Sequence, residues 1–131
     1  MRLYYRLVSF INSASVYINY IKFIMLFMPS IVKLKLLNDD VKLIRYMYRP
    51  NRKLQYKAVN YDSQTIAFIE YPDLSIQLLA VNRYIFNLDY IKRPSTELIN
   101  LIITKYPDDI WRIQTKHMTK TELNEFKLLT I

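Results

Sequence analysis

The chain has 131 residues, of which 52% are apolar, and it carries 19 Lys and Arg against 11 Asp and Glu. This apolar content, with 12 Tyr and 6 Phe, suits one folded domain and excludes a disordered tail. The absence of cysteine excludes disulfides and thiolate chemistry, and the absence of glycine excludes the glycine-rich loops that bind phosphate. Since tight hairpin turns also depend on glycine, the composition favours helices.

The N-terminal region is predicted to begin with a helix that covers one end of the fold. Apolar residues from Leu3 to Ile21 follow spacings of four and three, which predicts an amphipathic N-terminal capping helix over residues 1–22. The apolar stretch in residues 15–32 is interrupted by Lys22, whereas a spanning helix needs about 20 largely apolar residues in a row. We therefore expect no membrane-spanning helix and no membrane partner, and the sequence leaves open whether residues 15–32 contact a membrane surface.

Three prolines divide the middle of the chain at a constant interval. Pro50, Pro72 and Pro94 lie 22 residues apart, and residues at equal distances from each proline are alike. The matching sets are Ile44, Ile66 and Leu88; Tyr46, Phe68 and Tyr90; Ala58, Ala80 and Ile102; Val59, Val81 and Ile103. Self-similarity at a fixed period is typical of stacked repeats. We therefore predict repeats over 44–65, 66–87 and 88–109.

Each repeat is predicted to be a helix–turn–helix pair. Apolar spacings of three and four are helical, and proline is tolerated best in the first turn of a helix, so each proline should open the longer helix. The predicted caps of the short helices are Asp62 or Ser63, Asn87 and Asp109. The predicted fold is therefore all-α, a short α-solenoid-like stack with a capping helix at each end.

A degenerate first repeat is predicted over residues 23–43. Pro29 lies 21 residues before Pro50, and Phe23 and Leu26 occupy the matching apolar positions. This unit would join the N-terminal helix to the regular repeats.

The last segment, residues 110–131, is predicted to be a partial repeat and a C-terminal cap. Lys116 stands where the next proline would fall, which ends the regular array. Residues 119–122 read Thr-Lys-Thr-Glu, a capping-box pattern, ahead of apolar residues at helical spacing.

Two segments resemble a known repeat family. Residues 68–81 read FIEYPDLSIQLLAV and residues 88–97 read LDYIKRPSTE. They are similar to short helical repeats of unknown function that are frequent in giant viruses and also occur in phages and bacteria. The resemblance implies this fold but no activity. The chain departs from the family in lacking its inter-helix glycine and in having Asn51 and Asp73 where the family has serine.

No residue pattern indicates an enzyme, a cofactor or a metal site. His117 is the only histidine, and no nucleophile motif accompanies it. The acidic pairs at residues 39–40 and 108–109 lie where helices should begin, which favours capping over catalysis. The Tyr46, Phe68 and Tyr90 set could stack on nucleic-acid bases, although packing between repeats is the more ordinary role of such residues.

Charge is distributed unevenly along the chain. Residues 1–61 hold eleven Lys and Arg against two Asp, a net charge of +9, whereas residues 62–131 have a net charge of −1. Unpaired like charges favour an anionic partner. The predicted partner-binding residues are the cations and tyrosines around the first regular turn: Lys42, Arg45, Tyr46, Tyr48, Arg49, Arg52, Lys53, Tyr56 and Lys57.

The predicted function is a non-enzymatic module that binds a protein with an acidic surface. If the viral resemblance holds, the partner could be a host protein, including a defence protein that the module inhibits, in the cytoplasm of the host cell. The alternative is a nucleic-acid-binding protein that uses the basic N-terminal half. The sequence leaves the oligomeric state open.

Overall fold

A computed structural model describes residues 16–131, and this part of the chain consists of α-helices and short 3₁₀ helices without strands. The elements are α1 (Val16–Phe27), α2 (Ser30–Asp39), η1 (Val41–Tyr46), α3 (Arg52–Tyr61), η2 (Ser63–Phe68), α4 (Leu74–Arg83), η3 (Ile85–Tyr90), α5 (Thr96–Lys105), η4 (Pro107–Arg112) and α6 (Lys120–Leu129). The predicted all-α repeat stack is confirmed. The part of the predicted N-terminal capping helix before residue 16 lies outside the described residues.

The helices begin at the interval that the prolines predict. The α-helices α2 to α5 begin at residues 30, 52, 74 and 96, and the 3₁₀ helices η1 to η4 begin at residues 41, 63, 85 and 107. Each regular unit therefore pairs a six-residue 3₁₀ helix with a ten-residue α-helix. The short helices are 3₁₀ rather than α-helical, a form that is common in short connecting segments.

The units form two layers with the core between them. Consecutive α-helices from α2 to α5 contact one another, and so do consecutive 3₁₀ helices from η1 to η4. Helix α1 packs on η1, so it occupies the place of a short helix at the start of the stack. The repeated apolar positions are fully or almost fully buried between the layers: Ile44, Ile66, Leu88, Leu54, Ile76, Leu98, Ala58 and Ala80.

The prolines lie outside the long helices, and the prediction that they open the first turn is wrong. Asn51 is the N-cap of α3, where its Oδ1 accepts a hydrogen bond from the Leu54 N–H at 3.0 Å. Ser95 caps α5 in the same way. Each regular proline therefore precedes the cap by one residue. Polar residues hold the cap position because their side chains can satisfy an unpaired amide at the helix start.

The predicted cap Asp62 is confirmed, whereas η3 and η4 begin earlier than predicted. Asp62, rather than Ser63, caps η2 by accepting a hydrogen bond from the Gln64 N–H at 3.0 Å. Asn87 and Asp109 are not caps, because they lie inside η3 and η4. The Asn87 amide instead donates to the Ser63 hydroxyl of the preceding unit at 2.9 Å. The Asn87 amide thus links units rather than ending a helix.

The start of the stack also differs from the prediction. Helix α1 is continuous across residues 22 and 23, where the capping helix and the degenerate repeat were predicted to meet. Phe23 and Leu26 are exposed, and Ile21 and Met25 are buried in their place. The cause is the position of Pro29, which is itself the N-cap of α2. An alignment on this proline is therefore out of register by one residue.

The predicted capping box at the C-terminal end is confirmed. The Thr119 N–H donates to Glu122 Oε2 at 2.6 Å, and the Glu122 N–H donates to Thr119 Oγ1 at 3.2 Å. The hydrogen bonds from the Thr119 backbone and side chain lower the pKa of Glu122. Helix α6 begins at Lys120, whereas the 22-residue period would place its start at residue 118. The last helix is therefore outside the regular register.

Buried glutamines join consecutive units. The Gln77 amide donates to the Pro72 carbonyl at 2.8 Å, and its Oε1 accepts a hydrogen bond from the Ser95 N–H at 2.9 Å. Gln55 makes the same pair of bonds one unit earlier, to the Pro50 carbonyl and from the Asp73 N–H. Each glutamine therefore connects the proline turn of its own unit to the N-cap of the next.

We predict that Gln77→Leu lowers the free energy of unfolding by about 2–4 kcal/mol, because it leaves a buried carbonyl and the Ser95 amide without a partner. Gln64→Leu is the control, since Gln64 is exposed, and it should change stability by less than about 0.5 kcal/mol. Urea unfolding followed by circular dichroism measures both. Equal stability of Gln77→Leu and the parent would show that the glutamine links contribute nothing.

Candidate binding surface

The structure distributes the nine predicted binding residues over separate places. Four of them line one cleft: Arg45, Tyr46, Tyr48 and Arg49. Three line a second cleft: Lys53, Tyr56 and Lys57. Arg52 lies with Lys53 and Tyr56 beside α4, and Lys42 is exposed on η1 outside these clefts. The predicted residues therefore line more than one cleft.

The first cleft, here called the arginine cleft, has a volume of about 530 Å³ and lies where η1 and η2 lead into the turns before α3 and α4. Its lining combines cations with aromatic and apolar side chains: Lys22, Leu26, Arg45, Tyr46, Met47, Tyr48, Arg49, Pro50, Phe68, Glu70, Tyr71 and Lys92. Three consecutive units and α1 contribute to it, the third unit only through Lys92. The lining of this cleft therefore comes from four parts of the stack.

Arginines in and beside the arginine cleft stack on aromatic rings. The Arg45 guanidinium carbon lies 4.4 Å from the centre of the Phe68 ring. Those of Arg49 and Arg93 lie 5.0 Å and 4.7 Å from the centre of the Tyr71 ring. Stacking uses the flat face of a guanidinium and leaves its N–H donors around the edge. Phe68 and Tyr71 therefore contact these guanidiniums and leave their edges for hydrogen bonds.

The sequence analysis missed Tyr71, although the repeat contained the signal for it. Arg49, Tyr71 and Arg93 each stand immediately before a regular proline, so the 22-residue period places them side by side on neighbouring units. Tyr46 and its equivalents lie four residues before the prolines instead. Tyr46 and Phe68 are half-buried and pack against the core. These two residues therefore pack between repeats, which is one of the two roles predicted for the set.

Charge in the arginine cleft is mostly positive. Its single carboxylate is Glu70, which lies 3.4 Å from Lys92 and 3.5 Å from Arg93. Desolvation works to raise the pKa of Glu70, but the hydrogen bonds and charges of Lys92 and Arg93 outweigh it and lower the pKa. Within residues 16–131 all ion pairs lie between residues 70 and 112. The cleft cations Lys22, Arg45 and Arg49 therefore have no carboxylate partner in this part of the chain.

The backbone at Arg49 has an unusual conformation. Its φ is 44°, in the left-handed region, and it is the one residue of 16–131 with positive φ. A side chain in this region costs about 1–2 kcal/mol relative to the right-handed form. The chain turns there from η1 into Pro50, and the Arg49 side chain reaches Tyr71. The turn that carries this conformation therefore also positions a cation of the cleft.

The second cleft, here called the lysine cleft, lies between α2 and α3 and has a volume of about 730 Å³. Its lining is largely apolar with lysines among it: Ile31, Leu34, Lys35, Leu37, Asn38, Val41, Lys53, Tyr56, Lys57, Asn60 and Tyr61. It shares no residue with the arginine cleft. Three of the predicted binding residues thus belong to a different surface from Arg45 and Arg49.

His117 lies in a third cleft of about 380 Å³ beside α6, together with Glu122 and Glu125. Among residues 16–131 no group of three His, Asp or Glu side chains is placed to hold a metal ion. Trp111 is exposed, and the Arg112 guanidinium lies 4.2 Å from its ring centre. The absence of enzymatic activity stays a prediction.

The helices of residues 16–131 include none with both the length and the apolar character needed to cross a bilayer. Comparisons of the chain with protein-family models, curated proteins and solved structures give no match. The resemblance to the viral and phage repeats therefore remains a prediction from the residues that carry it.

We predict that the free energy of unfolding of Arg49→Gly is about 1 kcal/mol higher than that of Arg49→Ala, because glycine adopts positive φ without the steric cost of a Cβ atom. Arg93 is the control, since it holds the same place in its unit with negative φ. At this position Arg93→Ala should be at least as stable as Arg93→Gly. Urea unfolding compares the four variants. The same order at both positions would contradict a left-handed Arg49.

Proposed function

We propose that this protein is a non-enzymatic binding module whose arginine cleft engages an acidic segment of another protein. The observation that carries the proposal is the convergence of Lys22, Arg45 and Arg49, without carboxylate partners in the described chain, on a cleft lined by tyrosines. Arginine and tyrosine are the residues in which protein interfaces are enriched and which dominate their binding energy. The cleft therefore has the composition of an interface.

The geometry favours a protein over nucleic acid as the partner. Binding of bases requires open aromatic faces. The Phe68 and Tyr71 rings are instead contacted by the guanidiniums of Arg45, Arg49 and Arg93. The remaining predicted cations lie outside the arginine cleft, with Lys53 and Lys57 in the lysine cleft and Arg52 beside α4. Carboxylates that enter a single cleft suit this arrangement better.

We also propose that the acidic partner comes from a host cell. The resemblance to viral and phage repeats supports a host protein as the acidic partner, with inhibition of a defence protein as one such role. The two would meet in the cytoplasm of the host cell.

A paired set of charge variants tests the proposal. We expect Arg45→Gln with Arg49→Gln to weaken binding of a fluorescently labelled glutamate-rich peptide at least about tenfold, because two charge-assisted hydrogen bonds are lost. Arg52→Gln with Lys53→Gln removes the same charge outside the arginine cleft and should change the affinity by less than about twofold. Fluorescence anisotropy measures both, after circular dichroism has shown unchanged helicity and melting.

Two results would contradict the proposal. One is equal weakening by the two double variants, which would mean that net charge alone attracts the peptide. The other is tighter binding of duplex DNA than of the peptide, with a salt dependence near −0.9 in log–log slope for each phosphate contacted. That second result would assign the basic half to nucleic acid.

A further inference from the structure

An exposed apolar stripe runs along α1. Tyr20, Phe23 and Phe27 follow spacings of three and four residues, so they share one face of the helix. Phe23 is 59% exposed and Phe27 is 72% exposed, and their rings meet edge to face at 5.1 Å. Large contiguous apolar surface on a folded protein marks a binding surface more often than chance.

The other side of α1 fixes this stripe in place. Ile21 and Met25 are buried in the core, and α1 packs on η1. Helix α1 is thus attached to the stack through one face and presents Phe23 and Phe27 on another. The stripe does not belong to a cleft described above, since Tyr20, Phe23 and Phe27 line none of them.

The charge of the residues near the stripe indicates what kind of partner could bind there. Residues 16–61 hold nine Lys and Arg against two Asp. None of these cations has an ion-pair partner within residues 16–131. Lys22 lies on α1 itself, and Leu26 lines the arginine cleft together with Arg45. Lys22 therefore belongs to the same helix as the stripe, and the cations of the arginine cleft lie beside that helix.

We propose that α1 binds the surface of an anionic lipid membrane, with the rings of Tyr20, Phe23 and Phe27 in the interface and the neighbouring cations on the lipid headgroups. Apolar insertion combined with basic residues is the usual means by which surface helices bind anionic bilayers. A second copy of the chain is disfavoured as the occupant, because pairing two α1 helices would bring two positive regions together. The binding needs no spanning helix, since α1 would lie in the membrane surface.

Vesicle sedimentation with the full chain tests this inference. We expect binding to vesicles that contain phosphatidylserine and much weaker binding to pure phosphatidylcholine, since each cation near an anionic surface contributes roughly fivefold. Phe23→Ser with Phe27→Ser should lower the affinity for the anionic vesicles at least about tenfold. Phe86→Ser with Leu128→Ser is the matched control, because these side chains are 59% and 73% exposed on the other half of the chain. The control should change the affinity by less than about twofold.

A fluorescence measurement keeps the test independent of the folding of the serine variants. Trp111→Phe first removes the natural tryptophan. In that background the tryptophan fluorescence of Phe23→Trp should shift to shorter wavelength when anionic vesicles are added, whereas the fluorescence of Phe86→Trp should not shift. The inference is overturned if the parent does not bind anionic vesicles, if the Phe23 and Phe27 variant binds as well as the parent, or if the emission stays unchanged. A dimer that dissociates on the Phe23 and Phe27 substitutions, without vesicle binding, would assign the stripe to a second copy and equally overturn it.

Discussion

The buried glutamine of each central unit is the interaction on which the regular geometry depends. Gln55 and Gln77 each bond the carbonyl of their own proline and the N-cap amide of the following unit. A buried amide with both ends bonded fixes distance and orientation, because any other register would leave polar groups unpaired. The units therefore repeat in space as well as in sequence, and side chains at equivalent positions become neighbours. Tyr71 meets Arg49 and Arg93 for this reason.

Much of the fold was predictable because period and apolar spacing are properties of the sequence. The 22-residue interval and the terminal capping box could be read directly from the residues. The position of each cap could not, because proline is compatible both with the first turn of a helix and with the extended backbone before it. The first unit could not be placed either. Pro29 is a cap whereas Pro50 precedes one, and only the packing of Met25 in the core distinguishes these alternatives.

The binding surface was predictable only in composition. Sequence counting found the excess of cations around residues 42–57, but it treated them as one surface. Helix packing directs Arg45 and Arg49 into one cleft and Lys53 and Lys57 into another. The contribution of Tyr71 and Glu70 depends on contacts between units, which no single unit contains. The left-handed backbone of Arg49 was likewise hidden, because no glycine marks the turn.

Our proposal that the arginine cleft receives acidic side chains can be tested by nuclear magnetic resonance of the arginine Nε–H groups in the intact protein while a glutamate-rich peptide is added. We expect the signals of Arg45 and Arg49 to shift in a saturable way and the signal of Arg52 to remain in place. Equal shifts of all three signals, or no shift at Arg45 and Arg49 when the peptide is bound, would contradict it.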